Sequence, residues 1–247
     1  MMKTVAEWCT NNDQERSSIF EERLAAATHL INQGNDLFKE NKLLDAKMHY
    51  LAAGYHADFD AGQQWDLTTE HKSQIRAILI RILLNVANNA LKMKEHNFAN
   101  LACSIGIDLC KTDSSCPQDT VAKFHYRRAR ALLDLLKYDG AVADARKAME
   151  LMPTDSAVRE VFLKASLGVR RAKEESDAMW RAKNIFASPD DADIPKVDLV
   201  LTDNDGKPIV STSGRKQSSL ATTGSVDKSL WASLMELICC KRKPKSA

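Results

Sequence analysis

Apolar residues recur every three to four positions along most of this chain, the period of an amphipathic helix rather than the alternation of a strand. The pattern is nearly unbroken from about Ile19 to Phe186. Before it, residues 1–17 read as a loose polar leader. After it the composition changes. Ser188-Pro189-Asp190-Asp191, Asp203-Asn204-Asp205-Gly206 and Ser211 to Ser225 are rich in turn formers and poor in apolar residues, the composition of a disordered linker. Val197 to Leu201 has brief strand character but no partner in sequence. Helical spacing returns at Leu230, Trp231, Leu234, Leu237 and Ile238. The expected organisation is a leader (1–17), a helical domain (18–187), a disordered linker (188–226) and an amphipathic, basic end (227–247).

Small residues repeat in register through the helical domain. A unit of two antiparallel helices, A and B, in about 34 residues needs a small residue midway along A and small or aromatic residues on B, where the two cross closely. Gly34 is followed in this way by Ala46, Tyr50 and Ala53; Ala87 by Ala99, Cys103 and Gly106; Ala129 by Ala141, Ala145 and Ala148. Pro153 stops the last B helix, since proline cannot continue one. Asn41, Lys94-Glu95-His96 and Lys137-Tyr138-Asp139-Gly140 fall at the A-to-B turns. Two polar insertions, Phe59 to Thr69 and Thr112 to Gln118, lengthen the spacing and suit loops between units. Asp155 or Ser156 can cap a long final helix with an apolar stripe of Val158, Val161, Phe162, Ala165 and Leu167; Arg170 to Arg181 reads as its solvated extension. One such unit would fit a generic helical bundle. Three in one register, with a closing helix over the exposed apolar end, predict an all-α repeat array: three helix pairs in a right-handed superhelix, a long C-terminal capping helix and a disordered tail.

Three segments carry a more specific likeness: Gly34-Asn35-Asp36-Leu37-Phe38-Lys39, Leu83-Leu84-Asn85-Val86-Ala87 and Ala122-Lys123-Phe124-His125-Tyr126-Arg127-Arg128-Ala129. With Arg171-Ala172-Lys173-Glu174-Glu175 through Asn184-Ile185-Phe186, they make about two-thirds of the chain resemble the tetratricopeptide-repeat (TPR) domain of large immunophilins and aryl-hydrocarbon-receptor-interacting proteins. That resemblance implies a groove with a carboxylate clamp for the acidic C-terminal tail, ending Glu-Glu-Val-Asp, of heat-shock chaperones of the heat shock protein 90 class. Of its five positions, four hold the implied chemistry: Asn35, Asn85, Lys123 and Arg127. The fifth, usually lysine, is Ile31. The residues themselves suit that chemistry. Lys123 and Arg127 lie one turn apart on one face and can hold a carboxylate between them. The asparagines can donate to a peptide terminus, and Asn85 lies in an apolar run where a polar group needs a partner or an opening. A solvated basic face is the plainer reading of Lys123 and Arg127. Lys39 or His29 is a candidate to compensate for Ile31, and His125 a candidate to bond the peptide or a half-exposed helix histidine.

Large immunophilins also carry an isomerase domain ahead of the repeats. The repeats here begin almost at the first residue, so no isomerase activity is expected. No phosphate-binding loop, nucleophile elbow or zinc-ligand spacing occurs, so neither catalysis, cofactor nor metal is expected. The net charge of +2 from 35 basic and 33 acidic residues makes no case for nucleic acid. Six cysteines without a small-scaffold spacing, and no leader of secretory or transit type, read as free thiols in a cytoplasmic protein. The apolar face at Leu230 to Ile238, the pair Cys239-Cys240 and the run Lys241-Arg242-Lys243-Pro244-Lys245 combine into a membrane signal, with Cys239 and Cys240 as palmitoylation sites. Docking on the repeats, calmodulin binding and nuclear targeting are its alternatives. The expected function is a co-chaperone or adaptor for a client that sequence does not name. The alternatives are a scaffold for another acidic peptide, and a non-catalytic subunit of an enzyme complex or partner of a separate isomerase.

Overall fold

Eight helices and no strand make up the residues that the computed structural model describes, 5–59, 67–112 and 115–185. They are α1 (Val5–Asn11), α2 (Phe20–Lys39), α3 (Leu43–Ala57), α4 (Thr69–Lys92), α5 (His96–Lys111), α6 (Gln118–Asp134), α7 (Tyr138–Leu151) and α8 (Ser156–Ile185). The three A/B pairs are α2–α3, α4–α5 and α6–α7, each packed on itself and on the next, with the A helices α2, α4 and α6 side by side.

All three A-to-B turns are built alike. Each A helix ends in a residue of left-handed conformation: Asn41 (φ 63°), Lys94 (φ 59°) and Leu136 (φ 58°). The following amide reaches back five residues, Lys42 to the Leu37 carbonyl, Glu95 to Ala90 and Lys137 to Leu132, each at 2.8–2.9 Å. This is the Schellman closure, which satisfies the carbonyls a helix end leaves free. Glycine is the usual occupant of that left-handed position, and none of these three residues is one.

The small-residue register has a direct steric cause. A Cβ on Gly34 would lie 2.7 Å from the Tyr50 ring, and one on Gly106 would lie 2.3 Å from the Phe124 ring. Tyr50 joins α3 to α2 within a pair, and Phe124 joins α6 to α5 across the junction. Ala46, Ala53, Ala87, Ala99, Cys103, Ala129, Ala141, Ala145 and Ala148 are all buried, so the helices meet along a nearly continuous line of small side chains. Burial pushes the Cys103 thiol up to about 12, so it stays protonated and apolar.

Polar staples secure the turns. Asn89 is buried and donates to the Leu43 carbonyl at 2.9 Å, tying α4 to the start of α3. Lys47 pairs with Glu95 at 2.5 Å, and His96 with Asp134 at 3.2 Å. Asp155 is the cap of α8, its carboxylate accepting from the amides of Ala157 (2.8 Å) and Val158 (3.4 Å). Up to Arg171, α8 belongs to the repeat body; Val158, Val161 and Ala165 are buried, and Val161 clusters with Ala129 and Ala145. The remaining described residues of α8 belong to a second unit, and from Ala172 to Arg181 their side chains are exposed.

Three expectations need correction. Residues 1–17 are not a loose leader throughout: Val5 and Cys9 of α1 are buried in the main core, and Trp8 sets its edge on His49 of α3 at 5.0 Å between ring centres. Val5, Trp8 and Cys9 stand at helical spacing, a stripe too short to register against the acidic residues around it. The cysteines are not all free: Cys110 and Cys116 form a disulfide across the α5–α6 connection, their Cα atoms 5.4 Å apart, while Cys9 and Cys103 are free. Leu167 is not part of the buried stripe of α8; it is exposed, and the neighbouring Gly168 packs under Tyr138 instead. The linker, the Val197 to Leu201 segment and the basic end lie outside the described residues.

Two substitutions test this architecture. Gly106→Ala should destabilise by about 1–3 kcal/mol in urea melts, although alanine is the better helix former by about 1 kcal/mol, because the buried Phe124 ring has nowhere to retreat. Leu136→Gly should stabilise by about 0.5–1 kcal/mol, since it relieves a left-handed leucine on an exposed turn.

Candidate functional site

The A helices bring four polar positions onto their shared face. Asn35 of α2 is the first. Its side-chain oxygen accepts from the Tyr50 hydroxyl at 2.9 Å and from Asn85 Nδ2 at 3.0 Å. Both oxygen lone pairs are therefore used, and the Asn35 Nδ2 group remains to donate. Burial, with Asp36 nearby, pushes the Tyr50 hydroxyl up to about 12, so it remains a donor at any ordinary pH. Asn85 of α4 is half-buried and finds in Asn35 the partner that its apolar run demanded.

Arg127 of α6 reaches across to α4, where Nη1 donates to the Leu84 carbonyl at 2.5 Å. Leu84 adjoins Asn85, so one chain of contacts joins Asn35, Asn85 and Arg127 over all three pairs. Burial pulls the Arg127 pKa down, with Arg130 adding to the effect, and no carboxylate opposes it. Arginine stays charged even so. The result is a half-buried cation that donates to a backbone carbonyl and, among the described residues, to no carboxylate. Lys123 stands one turn away, exposed, and pairs with Asp119 of its own helix at 2.5 Å. An exposed pair of this kind contributes at most about 1 kcal/mol, so a better-placed carboxylate can displace Asp119.

Ile31 is fully buried, in the same apolar cluster as Ile82 and Leu83. The usual lysine position is therefore part of the core here. Neither sequence-based candidate for compensation is engaged there: Lys39 pairs with Asp36 at 2.9 Å, and His29 is exposed. His125 does not face a peptide either. It is buried, with Nδ1 2.9 Å from Asp144. The same carboxylate accepts from Arg128 Nε at 2.6 Å and Nη2 at 2.7 Å. Burial alone would raise the Asp144 pKa, but the hydrogen bonds from His125 and Arg128, with the Arg128 charge, outweigh it and hold the carboxyl below the usual range. Sequence reading passed over Asp144, and its i,i+3 spacing from Ala141 in a buried stripe was the available signal. Cys239 and Cys240 lie outside the described residues. Among the described residues no group of three or more His, Cys, Asp or Glu could hold a metal ion, and no helix is long and apolar enough to cross a membrane.

Among solved structures, the C-terminal TPR-containing domain of a Plasmodium falciparum FK506-binding protein matches with a TM-score of 0.54 at 23% identity, over 65% of this chain and 97% of that one. The fold is a TPR array. No family model matches the chain. Peptidyl-prolyl cis-trans isomerase FKBP42 of Arabidopsis thaliana is 28% identical over 184 residues, 74% of this chain and 47% of that protein. The chain thus spans about half the length of this curated relative. The first TPR of Spaghetti (RPAP3), solved with the HSP90 peptide SRMEEVD, has a TM-score of 0.45 at 19% identity, over 60% of this chain and 95% of that one.

The Arg128–Asp144–His125 cluster generates a prediction for the TPR body. Asp144→Ala should cost about 2–4 kcal/mol in a denaturant melt, because it leaves two buried donors without their acceptor. The folded Asp144 pKa lies below the ordinary 3.8, so its contribution is fully present above that value and is lost as pH falls through the folded one. The wild type should therefore lose more stability than Asp144→Ala between pH 5 and strongly acidic solution.

Proposed function

We propose that this TPR array is a non-catalytic adaptor that holds the acidic C-terminal tail of a partner, a heat-shock chaperone of the heat shock protein 90 class, through Asn35, Asn85, Lys123 and Arg127. The observation that carries the reading is Arg127. A half-buried cation that lacks a carboxylate partner is strongly stabilised by an incoming one. Lys123 one turn away and the free Asn35 amide on α2, beyond α4, supply further donors on the same face. A C-terminal acidic residue offers two carboxylates close together, which suits donors arranged around one point.

A second reading keeps the groove and changes the partner. Ile31 is buried, so the lysine of the usual clamp has no counterpart at its own position. That favours an acidic peptide other than the chaperone tail, including the tail of a catalytic chain to which the array is attached as a non-catalytic subunit.

Calorimetric titration with a peptide ending Glu-Glu-Val-Asp separates the two. Binding in the micromolar range that weakens with salt should be reduced at least about tenfold by Lys123→Ala/Arg127→Ala, and similarly by amidation of the peptide terminus. Full-strength binding by that double variant would remove the clamp. Absence of binding to this peptide, with binding to other acidic termini, would select the second reading.

A further inference from the structure

We propose that Arg81 supplies the cation that Ile31 withdraws, so that the clamp of this chain draws its second basic arm from α4 instead of α2. The inference rests on the acidic-peptide reading above and adds to it a residue that determines specificity.

The argument is one of register. Arg127 stands two residues before Ala129, the buried small residue of α6, and Lys123 stands six before it. Asn85 and Arg81 stand two and six residues before Ala87, the corresponding buried alanine of α4. Arg81 is therefore to Asn85 what Lys123 is to Arg127: one turn earlier on the same helical face. The hydrogen bond from Arg127 to the carbonyl of Leu84 sets the two helices beside each other at that level. The Arg81 and Lys123 positions then form a second tier one turn away from the Asn85–Arg127 tier. In α2 the place six residues before Gly34 is Thr28, which bonds the Leu24 carbonyl of its own helix. That helix contributes no cation to this tier.

Arg81 is also uncommitted. It is exposed, and among the described residues it has no ion pair and no side-chain hydrogen bond. Its neighbours one turn away on α4 are Ala77, Ile78, Leu84 and Asn85, none of them acidic. Lys39, the other candidate, stands one turn after Asn35, on the side away from the tier of Lys123. Arginine at this place differs chemically from the lysine it would replace, because its planar fork can take a carboxylate with two parallel hydrogen bonds. The partner it selects is a peptide whose terminus carries at least two carboxylates, one for Arg127 with Lys123 and one for Arg81 with the Asn35 and Asn85 amides.

Calorimetry on the full chain, with the peptide ending Glu-Glu-Val-Asp as probe, tests this. Arg81→Met should weaken binding about tenfold, the effect of one charge-assisted hydrogen bond, and Arg81→Lys should retain most of the affinity. Lys72→Met removes the same charge from the opposite face of α4, about two and a half turns away, and should change binding less than about twofold. Both positions are exposed, so the variants should melt as the wild type does. If the wild type binds and Arg81→Met behaves like Lys72→Met, Arg81 is only a solvated charge and the proposal fails while the clamp stands. If the wild type binds another acidic terminus instead, the same variants are compared on that peptide; if it binds no acidic terminus, the clamp reading and the proposal fall together.

Discussion

The array depends on how closely its helices approach one another, and two aromatic rings resting on glycine backbone set that distance. Tyr50 lies on Gly34 and Phe124 on Gly106, at separations that leave no room for a Cβ. These contacts also place the candidate site. The Tyr50 ring is fixed by the crossing, and its hydroxyl then fixes the oxygen of Asn35, which turns the Asn35 amide toward the shared face. Phe124 is fully buried and adjoins Lys123, so the seating of α6 on α5 determines where Lys123 and Arg127 emerge. Packing and the candidate site thus share the same residues. A change in the crossing distance would be felt as a displaced donor before it was felt as a broken helix.

Much of this was legible in the sequence, because it follows from local rules. Small residues at fixed intervals marked the crossings, Pro153 and Asp155 marked an end and a beginning, and all three pairs lie where that register put them. What escaped depends on the third dimension. The burial of Ile31 results from how α2 meets the rest of the core, and no local rule separates it from a position on an open face. His125 read as a surface residue because its partner, Asp144, is nineteen positions away. The α1 stripe was a single turn of apolar residues, too short to stand against the polar composition around it. The disulfide needed the placing of Cys116 beside Cys110 at the end of α5. Arg81 drew no notice in the sequence; its equivalence with Lys123 carries weight only once the bond from Arg127 to Leu84 sets α4 and α6 level.

Arg127 and Arg128 show how neighbouring residues of the same type take opposite roles. Burial opposes the charge on both. For Arg128, the two hydrogen bonds to Asp144 more than offset it, and the pKa is raised. For Arg127 no carboxylate does so, and the pKa is lowered. One full set of partners turns Arg128 into a structural clasp between α6 and α7. The missing set leaves Arg127 as a cation held in place by a backbone carbonyl, with its favourable electrostatic energy still to be gained from outside the chain.

The same comparison bears on specificity. A site that begins with an under-compensated cation favours any anion; what narrows the choice is the placing of the remaining donors. Asn35 and Asn85 are linked to each other, so their free groups are fixed in direction rather than mobile. With the lysine position of α2 taken into the core, the donors of this face lie on α4 and α6 and on one amide of α2. A ligand that satisfies them must present its carboxylates toward the second and third pairs. A groove that keeps a lysine on its first pair would present its donors differently, and such differences in placing, more than the bare charge, separate one acidic terminus from another.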